Sequence, residues 1–498
     1  MIENLKFALK NTAIYGLGNA STKIIGLILL PLYLDYLTTY DYGVLGILEI
    51  TAQIIVSVFG LGLFASLTRW YWDQDYSDKR RTIFFTILSF LLAVVLILIG
   101  ILMIISRPLS MLLFKSPDYT YLIKLMSVSC GLQIIAVVTA TLMKIQARAL
   151  LHSVTQIFNL IISMSLTIVF IAGMNRNIAG IYEAQICGYI AYLLMLSKYI
   201  VSNIEFKFEP ALLKSMLNYS YPLMISSIAG LILVMTDRYA LNYLCSLSDV
   251  GIYSLGFKIA NSIKVFIVTS IQLAISPIIY QMVDQPGAKR FYAKLMTYCT
   301  LIIMIFILIV SLFSRELITF MDKKHVYYDA YKVVPVIALS VLFGMLYYIA
   351  AIGITIEKKT KIIAQVTFIM AGLSVVLNLI LTPRFKYLGA AFATLITMIV
   401  HFTIIFIRAQ RVYRIPFELK KVFKIIVTGL LLYLISLLLY PTEILIKIPL
   451  KLLIILLLPF LLWIWNFYDD IELLRIKEGW LQVQHKVFRF KRNDNQTV

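Results

Sequence analysis

TIFFTILSFLLAVVLILIGILMII, residues 82–105, contains no charged side chain. A bilayer span needs about 20 consecutive mostly apolar residues, and an unbroken run of this kind reads as a helix; a barrel strand would alternate over about 10 residues. Runs like it recur along the chain. They place spans at residues 11–34, 43–68, 82–105, 119–142, 152–173, 178–197, 216–241, 251–275, 294–313, 333–355, 362–382, 388–407, 423–440 and 444–467. The expected fold class is an all-α integral membrane protein with about 14 transmembrane helices.

Composition agrees. The 498 residues are 61% hydrophobic and 14% charged, against roughly 45–50% and 25% in soluble domains, so a soluble globule is excluded. Lys6 and Lys10 followed by an apolar run imitate a signal peptide. That run reaches Leu34, longer than the ~7–15 residues of a signal core, and no small-residue cleavage pattern closes it, so an uncleaved first span is expected.

The net charge of +20 would suit nucleic acid only on a water-exposed basic face, and the chain offers no such domain. Topology explains it instead. Taking the N-terminus and every second loop, Lys and Arg number 29, against 11 on the opposite side, so both termini are expected in the cytoplasm. The loop 314–332, with Arg315, Lys323, Lys324 and Lys332, runs against this rule. No loop exceeds about 20 residues and no G-x-x-x-x-G-K-[ST] occurs, which leaves no room for a nucleotide-binding unit. Residues 468–498 set Leu473, Ile476, Trp480, Val483 and Val487 at helical spacing among basic residues, the pattern of a tail lying on the membrane surface. Cys130, Cys187, Cys245 and Cys299 lack paired spacing, and His152, His325, His401 and His485 are scattered, so neither a disulfide frame nor a metal centre is expected.

An internal repeat organises the spans. Tyr40-Asp41-Tyr42-Gly43-Val44 matches Ser248-Asp249-Val250-Gly251-Ile252 at an offset of 208, and Ala179-Gly180-Ile181 matches Leu388-Gly389-Ala390 at 209, as Gln156 matches Gln365. The chain therefore reads as a six-helix lobe (1–200), a second six-helix lobe (201–410), two additional helices (411–467) and the tail (468–498). Six is even, so the halves are parallel repeats able to flank a central cavity.

Lys23, Lys124, Arg238, Lys258 and Lys264 fall inside spans, where each costs about 2.5–3.5 kcal/mol unless it meets water or a partner. Lys23 shares a face with Thr12, Tyr15, Asn19 and Gly26; Ser254, Lys258, Asn261, Lys264 and Gln272 share another. These stripes suggest a cavity lined mainly by cations and hence an anionic substrate, since a phosphate about 4 Å from one ammonium gains about 4 kcal/mol at an effective dielectric of 20. Competing readings stand beside this one. Lys258 can snorkel, Arg238 can simply pair with Asp237, and Arg69 or the Lys144/Arg148 pair can anchor the cytoplasmic interface rather than gate substrate. Glu49, with Gln53 and Ser57 on its face, and Asp237 are the acidic candidates for coupling to a proton or sodium ion; Glu49 reads equally well as a buried partner for a lysine.

Several segments resemble one family. Lys10-Asn11-Thr12, Tyr15-Gly16-Leu17-Gly18, Lys23 through Leu30-Pro31-Leu32-Tyr33, Asp41-Tyr42-Gly43, Gly60-Leu61-Gly62, Arg69-Trp70-Tyr71, Asp237-Arg238-Tyr239 and Val250-Gly251-Ile252-Tyr253-Ser254-Leu255 to Lys258-Ile259-Ala260 are similar to the polysaccharide-type, Wzx-like flippases of the multidrug/oligosaccharidyl-lipid/polysaccharide exporter superfamily. The resemblance implies a two-lobed MATE-like fold, residence in the bacterial inner membrane, and translocation of an undecaprenyl-pyrophosphate-linked oligosaccharide. It implies substrate-binding roles for Lys23, Arg69, Arg238 and Lys258, while Lys264 rests on the helical stripe alone. No cofactor is expected beyond a coupling H+ or Na+. The expected partners are the lipid-linked anionic oligosaccharide, membrane lipids, and polysaccharide polymerase and chain-length proteins around a monomeric transporter, with no nucleic acid. A lipid II or teichoic-type flippase is the near alternative. A drug antiporter would want an acidic cavity, and a membrane polymerase a long outer loop.

Overall fold

The computed structural model describes residues 28–283, 285–438 and 444–470, and among these no β-strand occurs. The helices are α1 (Leu30–Tyr36), α2 (Thr39–Phe59), α3 (Leu63–Tyr71), α4 (Arg80–Phe114), α5 (Thr120–Ile145), α6 (Ala149–Ile168), α7 (Asn177–Met195), α8 (Pro210–Leu244), α9 (Leu247–Ile263), α10 (Thr269–Gln281), α11 (Ala288–Met321), α12 (Val333–Ala350), α13 (Lys361–Val412), α14 (Leu419–Leu437) and α15 (Ile444–Ile464), with a few shorter turns between. Eleven helices among the described residues are long and apolar enough to cross a membrane. They cover twelve of the fourteen expected spans, because α13 carries two and bends between them at Lys386 (φ 50°), just after Pro383. The thirteenth span coincides with α14. Most of the first lies outside the described residues, as do Lys23 and the amphipathic part of the tail.

The second expected span, 43–68, is not continuous. It breaks at Gly60-Leu61-Gly62, where Leu61 (φ 50°) and Gly62 (φ 65°) are left-handed, a conformation that suits glycine. A Cβ on Gly62 would stand 2.9 Å from the carbonyl oxygen of Ser220. The break thus lets α3 lie directly on α8, and Ser66 Oγ donates to the Met216 carbonyl at 2.8 Å.

Local chemistry explains the repeated Asp-x-Gly motif. In α2, Thr38 Oγ1 accepts from the Asp41 amide at 3.1 Å while the Thr38 amide donates to Asp41 Oδ2 at 3.1 Å. In α9, Ser246 Oγ accepts from the Asp249 amide at 3.1 Å and donates to Asp249 Oδ2 at 2.6 Å. The aspartates therefore close the first turns of the two helices. The glycines two residues on let α2 and α9 touch: a Cβ on Gly43 would overlap the Leu247 carbonyl, and one on Gly251 would overlap the Thr39 carbonyl.

The segment after α11 straps onto this corner. Tyr327 Oη donates to the carbonyls of Leu37 (2.9 Å) and Thr38 (2.8 Å), and the Tyr327 amide donates to the buried Asp322 at 2.6 Å. Lys323 pairs with Asp35 at 3.7 Å, Lys324 Nζ donates to the Asp35 carbonyl at 2.5 Å, and Lys332 pairs with Asp329 at 2.7 Å. Arg315 lies over the rings of Tyr328 (5.1 Å) and Tyr331 (6.0 Å), so all four cations that defied the charge rule have local partners.

The chain packs as two compact units, residues 1–286 with 313–414 and residues 287–312 with 415–498. In the smaller unit Gly429 admits Met304 against α14. Lys294 pairs with Glu418 (3.0 Å) and Asp469 (2.5 Å), and Lys421 with Asp469 (2.7 Å). Lys451, buried within α15, donates to the Leu312 carbonyl. The cavity described next lies wholly in the larger unit.

Candidate functional site

A cavity of about 850 Å³ opens among α1, α2, α5, α6, α7 and α9. Three of these helices turn polar stripes toward it. Ser129, Gln133, Thr141 and Lys144 recur along one face of α5; Gln156, Asn159, Ser163 and Thr167 follow at three- and four-residue steps on α6; Tyr182, Gln185 and Tyr189 do so on α7. Close packing of α6 on α7 depends on Gly188, where a Cβ would overlap Ser163 Oγ and come within 2.7 Å of Asn159 Oδ1.

Among the described residues the charged members of the wall are Glu49, Lys144 and Lys258. Glu49 and Lys258 face each other across α2 and α9 at 3.6 Å, with 43% and 26% of their side chains exposed. Lys258 Nζ also sits 5.5 Å from the Tyr42 ring centroid and 6.0 Å from that of Tyr33, so a cation–π cradle adds to the ion pair. Tyr42 in turn packs edge-on against Tyr327, centroids 5.8 Å apart. The lysine is therefore linked through one ring to the residue that straps the Leu37-Thr38 corner.

The other expected cations lie elsewhere. Asp237 and Arg238 are buried and pair at 3.7 Å. Tyr253 donates to Asp237 Oδ2, and the Arg238 guanidinium lies 4.2 Å from the Phe257 ring centroid. Neither residue lines the cavity, so their geometry matches the pairing alternative. Arg69 is exposed at the end of α3 and stacks on Tyr219 at 4.5 Å and on its neighbour Trp70 at 5.6 Å, as an interfacial anchor would. Lys264 is exposed and opens a π-helical turn, Lys264–Val268, in which the Thr269 amide reaches back to the Lys264 carbonyl. At 100° per residue Val265 falls about 20° from Lys258 and Lys264 about 120° from it, and the i→i+5 step shifts the phase of the residues that follow; Val265 and Phe266 line the cavity, while Lys264 and Gln272 are not among its lining residues. Ser254 is buried against Gly46.

The described wall consequently carries more amides than ammonium groups. Gln53, Gln133, Gln156, Asn159, Gln185 and Asn261 all line it. Sequence reasoning singled out the cations because a buried charge is conspicuous. The polar stripe of amides and hydroxyls was available in the same three- and four-residue spacing on α5 and α6.

Residues 8–283, more than half the chain, match the family model described as polysaccharide biosynthesis protein. The chain belongs to the polysaccharide biosynthesis protein family. Residues 222–380 also match the MatE model, which agrees with membership of the wider exporter superfamily. No curated protein sequence matches the chain. Among solved structures, the lipid II flippase MurJ in an inward closed conformation aligns with a TM-score of 0.70 at 15% identity, over 92% of this chain and 100% of that one. An inward-facing multidrug resistance MATE family transporter gives 0.64 at 10% identity, over 80% and 95%. An outward-facing one gives 0.62 at 11%, over 82% and 95%. What is shared at such identities is the fold. This member of the family is thus a multi-pass, all-helical membrane protein of MATE-like architecture, with one polar cavity described inside its larger unit.

Proposed function

We propose that the chain is a flippase that moves undecaprenyl-pyrophosphate-linked oligosaccharide across the bacterial cytoplasmic membrane by alternating access, with both termini in the cytoplasm. In this reading, lobes 1–200 and 201–410 rock about the crossing of α2 and α9, 411–467 adds two helices, and the tail 468–498 lies on the inner membrane surface. The observation that carries the reading is the polar cavity. A chamber of about 850 Å³ within membrane helices, walled by amides, hydroxyls and tyrosine rings with Lys144 and Lys258 on its surface, offers donors and acceptors to sugars and positive charge to phosphate.

Lys258 is the phosphate-binding residue of this mechanism. When phosphate draws its ammonium away, Glu49 loses its partner and becomes able to take up a proton or sodium ion, which couples transport to a gradient. Arg69 receives the headgroup at the interface, Lys23 and Lys264 supply further positive charge along its route, and Arg238 acts through its pair with Asp237. The transporter works as a monomer beside polysaccharide polymerase and chain-length proteins. A lipid II flippase is the second reading, favoured by the alignment with MurJ extending over that entire chain.

Reconstitution tests both. Purified protein in liposomes with defined lipid-linked glycans, at varied pH and sodium, should translocate the oligosaccharide lipid. Translocation of lipid II alone would establish the second reading, and translocation of neither would overturn both.

A further inference from the structure

The geometry points to a sugar-binding subsite on the α5–α6–α7 side of the cavity, separate from the Lys258 region and selective for neutral glycan units. This rests on the flippase reading above and names which part of the substrate this wall holds. Gln133, Gln156, Asn159 and Gln185 converge from three helices on one polar wall. Two of them are held by neighbours, Gln185 accepting from Ser129 Oγ at 3.2 Å and Asn159 Oδ1 from Ser163 Oγ at 3.3 Å.

A carboxamide presents one acceptor oxygen and two donor hydrogens side by side. Vicinal sugar hydroxyls, each both donor and acceptor, match this arrangement, whereas the phosphate groups and the carboxylate of a uronate offer acceptors only and are better served by ammonium groups. Tyr189, half-buried one helical turn from Gln185, adds a ring against which the C–H face of a pyranose can lie. An amide wall at membrane depth also needs polar occupants, because an amide moved from water without partners costs several kcal/mol; water fills the role when sugar is absent. The location of the charges completes the assignment. Lys258 and Glu49 belong to α9 and α2, and the four amides lie on other helices; Lys144, the charged lining residue of α5, stands in its last turn, about three turns beyond Gln133, so the amides form a wall of their own between the two cationic ends.

The test uses the purified full chain and three probes: sugar-free polyprenyl pyrophosphate, the same lipid carrying a neutral trisaccharide, and the same lipid carrying an acidic, uronate-containing trisaccharide. The neutral trisaccharide should tighten binding about tenfold over the sugar-free lipid, the size expected of two or three net hydrogen bonds, and the acidic one should tighten it less. Gln156→Leu/Asn159→Leu should erase the neutral-sugar gain and leave sugar-free binding unchanged, a control that also reports folding; if the double variant fails to accumulate, Gln156→Leu alone reads the same comparison. A variant that keeps the full gain, or an equal gain from the acidic glycan, overturns the subsite. Failure of the unaltered protein to bind any of the three lipids would instead overturn the flippase reading itself.

Discussion

Gly43 and Gly251 face each other across the crossing of α2 and α9, each abutting the other helix's first-turn carbonyl. A Cβ on Gly43 would overlap the Leu247 oxygen and stand 3.3 Å from the Gly251 amide nitrogen; a Cβ on Gly251 would overlap the Thr39 oxygen and stand 3.2 Å from that of Gly43. Thr39 and Leu247 are separated by the same 208 residues as the two glycines, so the sequence repeat becomes a reciprocal contact. The obstructing atoms are backbone and cannot rotate aside. Gly43→Ala should therefore cost about 1–3 kcal/mol, in the range of overpacking substitutions, and depress the melting temperature in detergent. Gly46→Ala, which meets the rotatable Ser254 Oγ at 2.6 Å, should cost less than half as much.

Two acid–base pairs of the larger unit, Asp237–Arg238 and Glu49–Lys258, should separate by phenotype. Asp237 is fully enclosed with Arg238 and Tyr253, and removing one partner of a buried pair costs about 3–5 kcal/mol. Asp237→Asn should thus reduce the amount of folded protein in the membrane. Glu49 and Lys258 are part-exposed, and such pairs are worth under about 1 kcal/mol. Glu49→Gln should leave the melting temperature within a few degrees while changing the pH or sodium dependence of transport. Transport by Glu49→Gln with unaltered ion dependence would remove Glu49 from coupling.

Tyr327 spans the strap, and its hydroxyl serves two carbonyls. Tyr327→Phe retains the ring contact with Tyr42 but loses the one hydroxyl proton shared between the two carbonyls, worth about 1 kcal/mol net. Amide hydrogen exchange should rise across residues 322–332 and at the start of α2, with little change elsewhere. Unchanged exchange there would show that the strap is held by Lys323, Lys324 and Asp322 instead.

Much of the architecture was legible from hydropathy, because a bilayer imposes a length on every apolar run and α4, α5 and α12 answer to it directly. The bend at Lys386 was also visible, since Pro383 and a charged pair interrupt one apolar stretch. The break at Gly60-Leu61-Gly62 was not, because glycine is common in membrane helices and only the approach of Ser220 reveals its use. Periodicity placed Lys258 and Asn261 on the cavity, whereas Lys264, at the far edge of the same helical arc, is not among the lining residues. The amides of α5, α6 and α7 carry no charge and so no insertion penalty large enough to draw notice.

Acid sensitivity should appear in the smaller unit. Lys294 and Lys421 hold the Asp469 carboxyl down at about 2, below the usual aspartate value of about 3.9. A depressed folded-state pKa stabilises at pH above the unfolded value, and the contribution is lost as pH falls from about 5 to about 2. With Asp469 part-exposed, screening keeps the effect under about 1 kcal/mol. Asp469→Asn should lower the melting temperature slightly at neutral pH and flatten its decline over that acidic window.

The most direct test of the flippase account is the initial rate of leaflet-to-leaflet movement of a polyprenyl-pyrophosphate-linked oligosaccharide in proteoliposomes, compared between the unaltered chain and Lys258→Met. We expect rapid movement with the former and at least a tenfold slower rate with the latter, at equal protein incorporation and equal melting temperature. Equal rates in the two would contradict the assignment of Lys258 to the phosphate, and no movement above protein-free liposomes with either would contradict the function.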